Sequence, residues 1–215
     1  SDDAWYPFTL RKQVNALIST GKIAIYSNAR IRLSSETNAK SGLLYSRRKI
    51  SALRGPSDLL RKYDVCFSTF AFNRLLLQRP VIFRSEFSFI EDLDFIYRLI
   101  ANTHIYYMAE PLAVYTQNSS GLSWSRPNEF ISELLLFKKS LDPSLHSHLE
   151  NVFCIQYLVL AIHAWRHGSI VSVYGAIVKR GILDYRALAL ILLAPLPYSY
   201  IAPLLSKFLG AKLPF

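Results

Sequence analysis

Ile90-Glu91-Asp92-Leu93-Asp94-Phe95 sets three carboxylates in four consecutive positions between two strongly apolar segments. Carboxylates are costly in such a setting unless they are paired or used. Read as the opening of a helix, the stretch places Asp92 three, four, seven and eight residues before Phe95, Ile96, Leu99 and Ile100, on the buried stripe. Asp94 stands four residues before Arg98, the spacing of an exposed helix ion pair worth a few tenths of a kcal/mol. Glu91 and Asp92 also suit the positive first turn of any helix. Direction separates the two readings of Asp92: a surface dipole partner does not share a face with Phe95 and Ile96. A carboxylate held in a partly dry cleft is a candidate general base.

Upstream, Pro7 suits the first turn of a helix in which Leu10, Val14, Leu17 and Ile18 form the apolar stripe and Gly21 is the stop. Ser1, Asp2 and Asp3 come several residues too early to cap it. Residues 23 to 27 alternate as a strand does, and residues 34 to 46 read as a polar loop. The basic run Arg47-Arg48-Lys49 is either a solvated surface or a phosphate contact. Ser57 and Asp58 cap a short helix to Tyr63, residues 65 to 72 read as a buried strand, and a further turn follows Asn73.

Downstream, the acidic helix runs to about Asn102. Residues 104 to 108 and 112 to 116 read as two short strands around Glu110-Pro111, followed by a polar, lid-like loop at Gln117 to Gly121. Beyond residue 126 the character turns helical: 127 to 141, 143 to 167 with Asp142 as cap, and 170 to 180. Residues 187 to 206 carry no charge but are interrupted by Pro195, Pro197 and Pro203. From Asn151 onward six basic side chains stand against one acid, Asp184. The expected division is 1–126, a helical region 127–181, and an apolar, membrane-associating segment 182–215, interfacial or re-entrant because of its prolines.

The chain has 215 residues, 51% of them hydrophobic, and a formal charge of +10. That is enough to bury a core, and the charge points to an anionic partner. Cys66 and Cys154 lack metal or disulfide-framework spacing and read as two buried thiols in a reducing compartment. His163 and His167 are four apart, but His-Ala-Trp-Arg-His lacks the acidic residue of a zinc-protease helix, so a structural role is favoured. A Cys66–histidine nucleophile pair has no supporting spacing.

Ser1-Asp2-Asp3-Ala4-Trp5-Tyr6-Pro7, continuing through Leu10 and Gln13, resembles the acidic metal-binding motif of family 2 glycosyltransferases, which have the GT-A fold. Tyr26-Ser27-Asn28, the Glu91 to Phe95 cluster with Arg98, and Glu110-Pro111-Leu112 before Tyr115 follow in the order and spacing of bacterial members that build O-antigen, capsule or exopolysaccharide. The resemblance covers about residues 1 to 125. It implies a mixed α/β partial GT-A domain on the acceptor side, reading as a fragment whose nucleotide-binding half lies upstream, with a helical, membrane-associated C-terminal region. It implies that Asp2 and Asp3 hold Mg²⁺ or Mn²⁺ on the diphosphate of a nucleotide-sugar donor. Asp92 is then the base that deprotonates an acceptor hydroxyl in one inverting displacement, and Glu91 positions the acceptor or braces the base. The implied acceptor is a polyprenyl-linked glycan, at the cytoplasmic face of the bacterial inner membrane, with anionic lipid and not nucleic acid as the surface partner. A second class stands beside it, a basic non-catalytic module docking on membrane or nucleic acid. Nucleic acid is its weaker form, because the bases are not gathered on one recognition helix.

Overall fold

The computed structural model describes residues 2–33, 42–45, 50–77, 79–117 and 126–166, with isolated positions 169, 171, 172, 174, 175 and 178. The Arg47-Arg48-Lys49 run, the loops 34–41 and 118–125, His167 and the segment 182–215 lie outside the described residues. The chain divides into two compact units, Ser1–Asn118 and Ser119–Phe215.

The first unit is mixed α/β, a curled sheet with helices. Its strands are β1 (Ala4–Trp5), β2 (Ala24–Leu33), β3 (Leu53–Arg54), β4 (Ala71–Phe72) and β5 (Ile105–Gln117), and its helices are α1 (Thr9–Thr20), α2 (Pro56–Arg61) and α3 (Glu91–Leu99). The strand order is β1-β5-β2-β4, with β3 also on β5; β2 and β5 run parallel and the other pairs antiparallel. Residues 24 to 29 of β2 are all buried, as expected of a strand covered on both faces. The core around β2 gathers Ala24, Tyr26, Leu59, Phe95, Ile96, Ile100 and Ile105.

Four expectations are corrected here. The two short strands expected around Glu110-Pro111 are one thirteen-residue strand, β5. The proline, which has no N–H to give to a ladder, falls where the register to β2 shifts: Ser27 faces Met108 and Asn28 faces Pro111. Inside that irregularity Asn28 replaces the missing ladder bonds, its Oδ1 accepting from the backbone N–H groups of Ala29 (2.9 Å) and Tyr45 (3.2 Å). The strand expected at 65 to 72 is instead a 3-10 turn, Phe67–Thr69, followed by the two-residue β4. Thr69 is the cause, its buried hydroxyl lying 2.9 Å from the Ser27 carbonyl and 2.8 Å from that of Cys66, which draws the chain inward.

The third correction concerns α1, which is a helix and stops at Gly21 in the left-handed region (φ 62°) that glycine adopts without strain. Its buried side chains, however, are Thr9 and Gln13, while Leu10 (60% exposed), Val14 and Ile18 (75%) face outward. Backbone carbonyls of neighbouring segments decide this. The Thr9 hydroxyl donates to Leu112 O, which also accepts from Tyr6 N at 3.3 Å, and Gln13 Nε2 donates to Thr69 O at 2.9 Å, so the inward face is set by polar side chains that close hydrogen bonds in the interior.

The fourth is Asp94. It is fully buried, not a surface ion-pair member, and its carboxylate receives Arg98 Nε (2.9 Å) and Nη2 (2.6 Å) from its own helix and Arg84 Nε (3.1 Å) from the preceding loop. A charge this deep persists because two guanidinium groups meet it.

In the second unit, α4 (Pro127–Ser140) buries Ile131, Leu134 and Phe137, and α5 (Glu150–Arg166) packs on it. Asp142 caps as expected, its Oδ1 accepting from Ser144 N at 2.8 Å, but it opens a 3-10 segment, Pro143–Leu149, before α5 begins. Among the described residues no helix is long and apolar enough to cross a membrane.

Candidate functional site

The acidic stretch that opens the reading forms the first turn of α3, with Glu91, Asp92 and Asp94 at its N-terminal end and Arg98 in its last turn. Ile90 starts the helix without a side-chain cap, so the turn depends on the match between carboxylates and the helix dipole. Leu93, Phe95, Ile96 and Leu99 anchor the helix in the core. Asp92 is left at the core's margin, partly accessible, with its Oδ1 accepting from Leu93 N at 2.7 Å.

Burial pushes the Asp92 carboxyl up from its ordinary 3.8 to about 6, with the neighbouring Glu91 charge adding to the rise. Tyr63 opposes it. The buried Tyr63 hydroxyl closes no hydrogen bond of normal geometry, yet it faces Asp92 closely enough to favour the ionised carboxylate. Burial first, and then the Asp92 charge, hold the Tyr63 phenol far above its usual range. Glu91 keeps one carboxylate oxygen, Oε2, buried and without a hydrogen-bond partner.

Asp3 is held from two sides: Ser68 Oγ donates to Oδ2 and Thr116 N to Oδ1 at 2.8 Å. β1 fastens this segment to β5 through Ala4 opposite Val114 and Trp5 opposite Ala113, and Trp5 Nε1 donates to Ser68 O at 2.6 Å. Asp2 fixes its backbone carbonyl on Arg32 Nη2 (3.0 Å) and Thr116 Oγ1 (2.8 Å) while its side chain is exposed.

Cys66 is a free, buried thiol, and burial raises it to about 11, with the Asp3 charge adding to this. A thiol so raised is protonated at neutral pH and poorly suited to act as a nucleophile. Burial likewise raises the Tyr115 hydroxyl. The fold also brings Tyr26-Ser27-Asn28 against Glu110-Pro111-Leu112, through the Asn28–Pro111 pairing.

Sequence reasoning singled out Asp2, Asp3, Glu91 and Asp92 but missed Tyr63, Ser68 and Thr116. Nothing local marks these three: Tyr63 is only the residue after a short helix, and the others act across 65 and 113 positions of chain. A test follows for Tyr63. Tyr63→Phe removes the group that favours ionised Asp92, so the Asp92 pKa is expected to rise above about 6, read by carboxyl ¹³C NMR titration. An unchanged or lower value rejects the contact.

As a metal centre the acidic segment is incomplete by itself. Among the described residues no three His, Cys, Asp or Glu side chains gather around one point, and both oxygens of Asp3 are already engaged. The exposed Asp2 carboxylate fits a cation that takes its other ligands from water and a diphosphate. No protein-family model matches the chain, and no curated protein matches it.

Proposed function

We propose that this chain is the acceptor-side part of a GT-A type, family 2 glycosyltransferase, which moves a sugar from a nucleotide-sugar donor to a lipid-linked glycan with inversion. The observation that carries the reading is the Asp92 carboxylate in the first turn of α3, at the margin of the core, which burial raises to about 6. A base titrating near 6 is mostly ionised at neutral pH and still basic enough to accept a proton as an alkoxide develops.

In this reading the acceptor hydroxyl oxygen attacks the anomeric carbon, its proton passes to Asp92, and the bond from that carbon to the nucleoside diphosphate breaks. Glu91, with a buried oxygen awaiting a donor, orients the acceptor through one of its hydroxyls. Asp2 would hold Mg²⁺ or Mn²⁺, which neutralises charge on the departing diphosphate. Asp3, clamped by Ser68 and Thr116, holds that segment in place. The working place is the cytoplasmic face of a bacterial inner membrane, with anionic lipid as the surface partner.

Incubation with a panel of labelled nucleotide sugars, a polyprenyl-linked glycan and Mn²⁺ tests the proposal. Transfer with inversion, abolished by EDTA and by Asp2→Ala, is expected. Transfer that is indifferent to chelation removes the metal role, and failure across the panel by a preparation containing a complete donor-binding half removes the activity.

A further inference from the structure

A second feature surrounds β4 and the segment that follows it. Phe95, anchored in the core, is surrounded by rings: Phe83 stacks on it at 4.4 Å, Phe72 meets it edge-on at 5.7 Å, and Phe67 reaches Phe83 at 6.0 Å. Phe67, Phe72 and Phe83 are all partly exposed, so the core continues to the surface here as an apolar patch. The residues beside it extend that patch outward. Leu75 is 92% exposed, Ile82 71% and Leu76 48%, which no folding requirement of the first unit explains.

The free charge on this stretch is basic. From Val65 to Ser85 there is no acidic residue, while Arg74 and Arg79 are exposed. The other basic groups nearby are already engaged, Arg84 and Arg98 with buried Asp94 and Arg84 also with Glu86 at 3.6 Å. A 3-10 turn, Arg74–Leu76, capped by Asn73 whose Oδ1 accepts from Leu75 N at 3.0 Å, holds Leu75 outward in a defined conformation.

We propose that Phe72, Arg74, Leu75, Leu76, Arg79 and Ile82 form a lipid-contact surface for an anionic bilayer, with Leu75 and Ile82 entering the acyl boundary and Arg74 and Arg79 at headgroup level. Exposed aliphatic side chains flanked by exposed arginines, with the bordering Glu86 paired to Arg84, match such an interface. They match nucleic acid poorly, because Leu75, Leu76 and Ile82 offer neither stacking nor hydrogen bonds. The proposal stands independently of the transfer chemistry.

The full chain carrying Leu75→Trp tests it, compared with the parent on phosphatidylcholine vesicles with and without phosphatidylglycerol. The added indole is expected to shift to the blue and to be quenched by brominated acyl chains on the anionic vesicles. The full-chain double variant Leu75→Glu, Ile82→Glu is expected to partition about tenfold more weakly or worse. Three results overturn the proposal: no binding of the full chain to anionic vesicles, bound chain whose added indole is unquenched, or a blue shift that follows protein concentration without lipid, which marks a self-association face.

Discussion

In the proposed transferase, assayed with its donor-binding half present, Asp92→Asn is expected to lower sugar transfer by about 10²- to 10⁴-fold while leaving donor binding nearly unchanged, because an amide cannot accept the proton that a carboxylate takes. The same substitution is expected to raise stability at neutral pH. In the folded chain Asp92 binds its proton more tightly than its ordinary pKa of 3.8 allows, since burial lifts it to about 6. Its contribution to stability is therefore fully present below about pH 4 and is lost as pH rises through 6. Ionising it in place costs up to about 3 kcal/mol by pH 7. Asn carries no such cost, so the variant's advantage over the parent is expected to grow between pH 4 and 7 and to level off above. Denaturant unfolding across that range, paired with single-turnover transfer and donor titration, reads both effects. Near-normal transfer rejects Asp92 as base, and a stability difference independent of pH rejects the buried, destabilised carboxylate.

Arg54→Met is expected to lose up to about 3–5 kcal/mol of stability, because the buried Asp64 then keeps only the partly exposed Lys62 ammonium, 3.6 Å away, and the carbonyls that Arg54 serves lose their donor. Arg54, on β3, is 5% exposed and pairs with the equally buried Asp64. Its guanidinium also donates to the Tyr26 hydroxyl (3.0 Å) and to the carbonyls of Asp58 (3.0 Å) and Lys62 (2.6 Å), tying α2 and the loop beyond it to the sheet. The Tyr45 hydroxyl donates to the Asp64 carbonyl in the same cluster. Tyr63 lies inside this tied loop, so the network sets where the Asp92 neighbour stands. Removing both charges with Arg54→Met and Asp64→Leu is expected to recover part of the loss. Additive losses in the double variant, or a single-variant loss below about 1 kcal/mol, would show that the pair is not the tie.

Much of the local structure was legible from residue order. The acidic turn and apolar period of α3, the Gly21 stop, the Asp142 cap and the extent of α4 follow from spacing and end chemistry within a few residues. The direction in which α1 faces was not legible. Its apolar period is present, yet the helix turns Thr9 and Gln13 inward to meet Leu112 and Thr69 carbonyls that lie 103 and 56 positions away. The role of Asp94 was misread for a similar reason: Arg98 is visible at helical spacing, whereas Arg84 reaches it from a separate loop and makes burial affordable.

By itself, then, the sequence determined that a helix opens with three carboxylates, and that Asp92 shares its face with apolar side chains. It also determined that α1 stops at Gly21 and that α4 begins at Pro127. Only the tertiary structure decided that β5 is one strand whose register shifts at Pro111, that Asp94 is sealed by two arginines, and that Ser68 and Thr116 hold Asp3. The physical reason is range. Helix caps and periodicity are set by groups within one or two turns, whereas the partners of buried carbonyls and carboxylates come from any part of the chain that the core brings near.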